Sequence, residues 1–92
     1  MDRITWDPDK ERLNQAKHGV GFAEASAVVV HRLTRDWPDL SHSHHEPRTL
    51  SMGISATGDI LVVVTAVAYD GSIRIISARR ATKRERHAYE AG

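Results

Sequence analysis

The sequence predicts an α+β domain, and three observations carry that prediction. Phe22, Ala25 and Val29 recur at helical spacing, whereas from Arg48 onward the apolar period becomes two. Helix-start and helix-stop signals bracket an N-terminal segment, while an Asp-Gly pair separates two strand-like runs nearer the C-terminus. At 92 residues and 10.3 kDa there is length for one core and not two, so residues 1–92 are read as a single domain.

A short extended opening closes at Trp6, and Asp7-Pro8 then supplies an N-cap followed by the residue that favours the first helical position. The helix is expected to run through Glu11, Leu13 and Ala16 to Lys17-His18, where cations suit the negative end of the dipole and Gly19 caps it. A second helix is predicted over 23–30, with a β-branched tail. Residues 32–37 read as a strand, and Pro38, Asp39, Ser41 and Ser43 open an irregular polar loop reaching Pro47. From Arg48, Leu50, Met52 and Ile54 face one way and Thr49, Ser51 and Gly53 the other, as in a strand with one buried face. Thr57-Gly58-Asp59 marks a turn. The run Ile60 to Tyr69, apolar at nearly every position, fits a central strand covered on both faces. Asp70-Gly71 predicts a two-residue hairpin turn into an antiparallel strand over 72–79. Thr82-Lys83-Arg84-Glu85 has the form of a capping box and predicts a short basic helix holding Arg86 to Tyr89.

Composition excludes several classes of function. With no cysteine there is neither a disulfide framework nor a thiolate zinc site. The N-terminal residues have no apolar core of a signal peptide, and the longest apolar run is far short of the roughly 20 residues that span a bilayer, so a cytoplasmic protein without membrane contact is expected. No phosphate-cradling glycine loop or nucleophile elbow occurs. The net charge of +1 hides a polarity: residues 74–90 hold six Lys/Arg against two Asp/Glu, whereas residues 1–73 hold seven against ten. A basic face built by the C-terminal segment suits a polyanion, although a solvated basic helix gives the same composition.

Within that segment Arg74 and Arg79 lie among Ile73, Ile75, Ile76 and Ala78, and burying a guanidinium is costly unless an anion pairs with it. Either they reach a rim and bind phosphate, which their planar forks fit, or they pair with internal carboxylates such as Glu46 or Asp36. His18, beside Lys17, is able to act as a base near neutrality, and it is equally a good helix C-terminal residue. His42-Ser43-His44-His45 with Glu46 fits no closed metal-ligand spacing, so no metal site is assigned. Trp6, Phe22 and Trp37 are dispersed and read as core or core-edge residues, and Tyr89 suits core packing as well as a site.

Three stretches together resemble the BrnT family of type II toxins. They are Trp6-Asp7-Pro8 with Lys10, Asn14, Lys17-His18-Gly19-Val20, Phe22 and Glu24-Ala25; Glu46 and Arg48 with Gly53-Ile54-Ser55, Gly58 and Leu61-Val62-Val63-Val64; and Ile73-Arg74-Ile75-Ile76-Ser77-Ala78-Arg79-Arg80-Ala81-Thr82 with Arg84-Glu85-Arg86 and Tyr89-Glu90. Departures fall in His42 to Pro47, where the family is more acidic, and in Val67-Ala68-Tyr69, where it is more polar. The resemblance implies a RelE-like fold and a toxin that cleaves RNA without a ribosome, metal or cofactor. It also implies a cognate BrnA-type antitoxin, assembly as two toxins with two antitoxins, and contact with promoter DNA only through that complex. Metal-free cleavage needs a base, an acid and cations for the added negative charge. On this view Arg79 stabilises the phosphate, Arg74 and Arg48 orient it, Lys17 or His18 handles the proton, and Arg80, Lys83 and Arg84 contact RNA. The competing reading is a non-catalytic module whose basic strand and helix dock on nucleic acid or on an acidic partner, including an antitoxin segment that conceals the cleft.

Overall fold

A computed structural model describes residues 3–31, 34–39 and 46–91 of the chain. Among these, the strands are β1 (Ile4–Thr5), β2 (Arg35–Pro38), β3 (Arg48–Ile54), β4 (Ile60–Val67) and β5 (Ile73–Arg80). They form one sheet in the order β1-β5-β4-β3-β2, antiparallel except where β1 runs parallel to β5. The apolar run is the central strand β4, and Leu61, Val62 and Val63 are all buried although successive side chains point to opposite faces. Both faces of the sheet are therefore covered, as that run predicts.

The helices are α1 (Pro8–His18), α2 (Phe22–Val30) and α3 (Lys83–Ala91). Asp7 caps α1 by accepting from the Asp9 N–H, and Gly19 ends it at φ 71°, in the left-handed region where a Cβ is penalised. Gly21, at the start of α2, has no side chain to cap with; Glu11 of α1 reaches over and accepts from the Phe22 N–H at 2.8 Å. Phe22, Ala25 and Val28 then bury against Leu61, Val63, Ile75 and Ala78, with Trp6 edge-on to Phe22. Val28, not Val29, forms the deep end of that stripe. On the opposite face, Tyr89 of α3 packs with Met52, Val62 and Ala81. Thr82 and Glu85 form the expected box, each accepting from the other's backbone N–H, at 3.2 and 2.8 Å.

Along β5, α1 replaces a missing strand. The amide of Asn14 donates to the Ala78 carbonyl at 2.8 Å, accepts from the Ala78 N–H at 3.2 Å, and donates to the Val20 carbonyl at 3.0 Å. A buried asparagine thus satisfies the edge of β5 where β1 is too short to do so.

Three expectations need correction. The supposedly open face of β3 is buried, with Ser51 and Gly53 under α2, because small residues there let the helix approach: a Cβ on Gly53 would lie 2.8 Å from Thr34 Oγ1 and 3.1 Å from Val28 Cγ1. Ile54, expected to be inward, is exposed. The turn between β4 and β5 is not a two-residue one, since such a turn with Asp-Gly needs positive φ at both positions and only Gly71 has it. The ladder instead closes from the Ala68 N–H to the Ser72 carbonyl around Tyr69, Asp70 and Gly71. The strand expected at 32–37 is observed as Arg35–Pro38; Arg32 and Leu33 lie outside the described residues, as do 40–45 of the polar loop, including His42, His44 and His45.

Candidate active site

Arg74 and Arg79 are five residues apart, and strict alternation would send them to opposite faces of the sheet. They share one face. The register passes from Val64 opposite Ser77 to Thr65 opposite Ile75, leaving Ile76 as an extra residue in β5. This bulge shifts the alternation by one, so Arg74 pairs across from Ala66 and Arg79 from Val62, four residues apart on β4 and therefore on the same side. Arg48 of β3 also lies across from Ala66, on the side shared with Leu50 and Met52. Three arginines from two strands thus meet on the face that carries α3, away from α2.

Between Arg48 and Arg79 is a cleft of about 460 Å³, with Asp39, Leu50, Val64 and Ser77 also on its walls and the bulged Ile76 among them; Arg74 stands outside its lining, paired with Glu46. The side chains of Arg48, Arg74 and Arg79 are between 30% and 38% exposed, enough to be reached from solvent while partly desolvated. Carboxylates hold them in place. Glu46 accepts from Arg74 at 2.6 Å and stands 3.9 Å from Arg48, while the Asp39 N–H donates to the Arg48 carbonyl at 2.8 Å. Arg79 is gripped by both oxygens of Glu85, Nη1 to Oε1 at 2.7 Å and Nη2 to Oε2 at 3.0 Å. Those bonds raise the guanidinium's pKa further and lower that of Glu85 to about 2, against an opposing effect of burial on each. The pairing with Glu46 is the internal-carboxylate alternative for Arg74. For Arg79 the partner is the capping-box glutamate, a residue whose role at the helix start had masked it as an arginine ligand.

The remaining sequence candidates are placed elsewhere. Arg80 points to the other side of β5, where it donates to the His18 carbonyl at 3.2 Å and pairs with Asp59 at 3.4 Å. Lys17 and His18 therefore stand with Arg80 at the end of α1, and the structure does not bring them to Arg79. Lys83 and Arg84 are exposed in the first turn of α3. The basic segment is consequently divided between two sides of the sheet instead of forming one face. Trp37 is 42% exposed on β2, and Arg35 lies over the Tyr89 ring at 5.5 Å, fixing α3 to the far edge of the same face.

This arrangement can bind a phosphodiester: rigidly held planar cations in a partly desolvated cleft are suited to its non-bridging oxygens. Residues 6–85 match the family described as the ribonuclease toxin, BrnT, of type II toxin-antitoxin systems. The fold is similar to the crystal structure of the Brucella abortus ribonuclease toxin, BrnT, with a TM-score of 0.69 and 24% identity over 90% of this chain and 100% of that one. No curated protein matches.

Proposed function

Because the chain belongs to the BrnT family of ribonuclease toxins of type II toxin-antitoxin systems, we propose that the arginine cleft is where it cleaves RNA, without a metal ion. The observation that carries this reading is the meeting of Arg48, Arg74 and Arg79 on one face through the bulge at Ile76. In the proposed reaction the 2′-oxygen attacks the adjacent phosphorus, the bond to the 5′-oxygen breaks, and a cyclic phosphate results. One proton leaves the 2′-hydroxyl and one is delivered to the departing 5′-oxygen. Arg79 faces the negative charge that accumulates on phosphorus-bound oxygens, and Arg48 and Arg74 fix the orientation of the phosphate.

The proton step has two sets of candidates. Lys17 or His18 serves if the RNA passes round the edge of β5 toward Arg80, with Lys83 and Arg84 contacting flanking phosphates. The carboxylates beside the cleft, Asp39 and Glu46, serve if the RNA stays on the arginine face. Alanine substitution of each, compared by turnover, separates the two paths.

The family implies an antitoxin partner. We take it to be of BrnA type, to act in the cytoplasm by occupying the phosphate cleft, to assemble with two toxins and two antitoxins, and to supply any contact with promoter DNA. Incubation of the purified chain with a long single-stranded RNA in EDTA tests the chemistry. Wild type is expected to leave cyclic or 3′-phosphate ends, and Arg79→Ala to leave the RNA intact while keeping its fold. An inert wild type would make the chain a binding module.

A further inference from the structure

Arg79 has five N–H hydrogens, and the structure accounts for three. Nη1 gives one to Glu85 Oε1 at 2.7 Å and directs another to the Arg80 carbonyl at 3.4 Å; Nη2 gives one to Glu85 Oε2 at 3.0 Å. Glu85 therefore occupies the end-on fork made by the two terminal nitrogens. The side-on fork, formed by Nε and the outward hydrogen of Nη2, makes no hydrogen bond among the described residues, and Arg79 lines the cleft. A guanidinium can serve two bidentate anions at once, one on each fork, because the forks share only Nη2 and use different hydrogens of it.

We propose that Glu85 is a positioning residue for RNA cleavage, holding Arg79 by its end-on fork so that the side-on fork is presented to the scissile phosphate without the ion pair having to break. The proposal rests on the ribonuclease reading above. Glu85 is itself fixed by the capping box: Oε1 also accepts from the Thr82 N–H at 2.8 Å, and the Glu85 N–H donates to Thr82 Oγ1 at 3.2 Å. The first turn of α3 is thus a rigid mount for a cation that belongs to β5. Such a mount supplies orientation before substrate arrives, and an angstrom of misplacement at a reacting centre costs about a hundredfold in rate.

A carboxylate near a phosphate site also repels the phosphate, and this gives the test its signature. Glu85→Gln keeps an oxygen for the Thr82 N–H but loses the charge and one acceptor of the grip. With single-stranded RNA as substrate, kcat is expected to fall about 10- to 100-fold, while a non-cleavable 2′-deoxy oligonucleotide binds as tightly as to wild type or more tightly. A merely structural role lowers both together. Thr82→Ala controls for the helix cap, since it removes only the hydroxyl that accepts from the Glu85 N–H and leaves the Glu85 carboxylate its bonds from the Thr82 N–H and from Arg79; it is expected to cleave within a few-fold of wild type. Wild-type turnover by Glu85→Gln overturns the proposal, as does faster turnover, which would make Glu85 a competitor of the phosphate. An equal loss in Thr82→Ala also overturns it, by tracing the effect to the helix. An inactive wild type shows itself before any variant is compared, and it removes the ribonuclease reading together with this role.

Discussion

At Glu85 a helix-capping carboxylate and an arginine ligand are one group, and its titration exposes the coupling. Its folded pKa of about 2 lies below the ordinary 4.5, chiefly through the hydrogen bonds from Arg79 and against the effect of burial, with the Thr82 N–H adding to the lowering. A carboxyl depressed on folding stabilises the protein fully above its unfolded pKa and loses that contribution as pH falls. Stability is therefore expected to decline between about pH 4.5 and 2 in wild type, and Glu85→Gln to lack that component when melting temperatures are compared across the range. Solvent reaches the pair, so the component is about 1 kcal/mol or less. Asn14 presents a starker case. Replacing it with leucine strands the N–H and carbonyl of Ala78 at a buried edge, and a loss of about 2–4 kcal/mol is expected in urea unfolding. Neither role is marked in the sequence: a serine-threonine-type capping box announces a helix start, and an asparagine within a helix announces nothing, because the groups they serve lie 6 and 64 residues away.

At the scale of elements, helix ends were the most legible features. Asp7-Pro8, Gly19 and Thr82-Lys83-Arg84-Glu85 act through bonds spanning a few residues, so sequence neighbours are structural neighbours there. Strand faces were less so, since β3 obeys period two in sequence and yet buries its small-residue side under α2. Gly53 is the point of closest approach. Gly53→Ala is expected to cost about 1–3 kcal/mol, read by thermal or urea unfolding, because the new methyl meets Thr34 Oγ1, itself bonded to the Val28 carbonyl, and Val28 Cγ1. The hairpin at Asp70-Gly71 was placed correctly and typed wrongly. The dipeptide permits a two-residue turn, but the register between β4 and β5 selects a longer one in which Asp70 accepts from the Ser72 N–H and hydroxyl.

For the whole molecule, the division of basic residues across the sheet makes the side on which RNA binds a question for the salt dependence of its affinity. Each arginine that neutralises a phosphate releases counterions, and with single-stranded RNA the slope of log affinity against log salt changes by about 0.7 per contact. Arg79→Ala is expected to flatten that slope by about this amount, measured with a non-cleavable oligonucleotide, and an unchanged slope would place the phosphate elsewhere. Arg80→Ala tells whether the RNA crosses to the helix side, since Arg80 stands with His18 and Asp59 and not in the cleft.

Sequence by itself determined the α+β class, the order of elements, the central position of residues 60–67, the helix caps, and the presence of arginines in an apolar strand that had to find anions. These follow from local geometry and burial, which are written in neighbouring residues. Tertiary structure decided which arginines share a face. A register shift at Val64/Thr65 leaves Ile76 unpaired and turns Arg74 and Arg79 to one side, where Arg48 joins them from the adjacent strand. No period in the sequence contains that information, because a bulge is a property of how two strands pair and not of either strand alone. The same holds for the partners of those arginines, Glu46 and Glu85, and for the separation of Lys17 and His18 from Arg79, since only the packing of α1 beside β5 sets its C-terminal end on the side of Arg80.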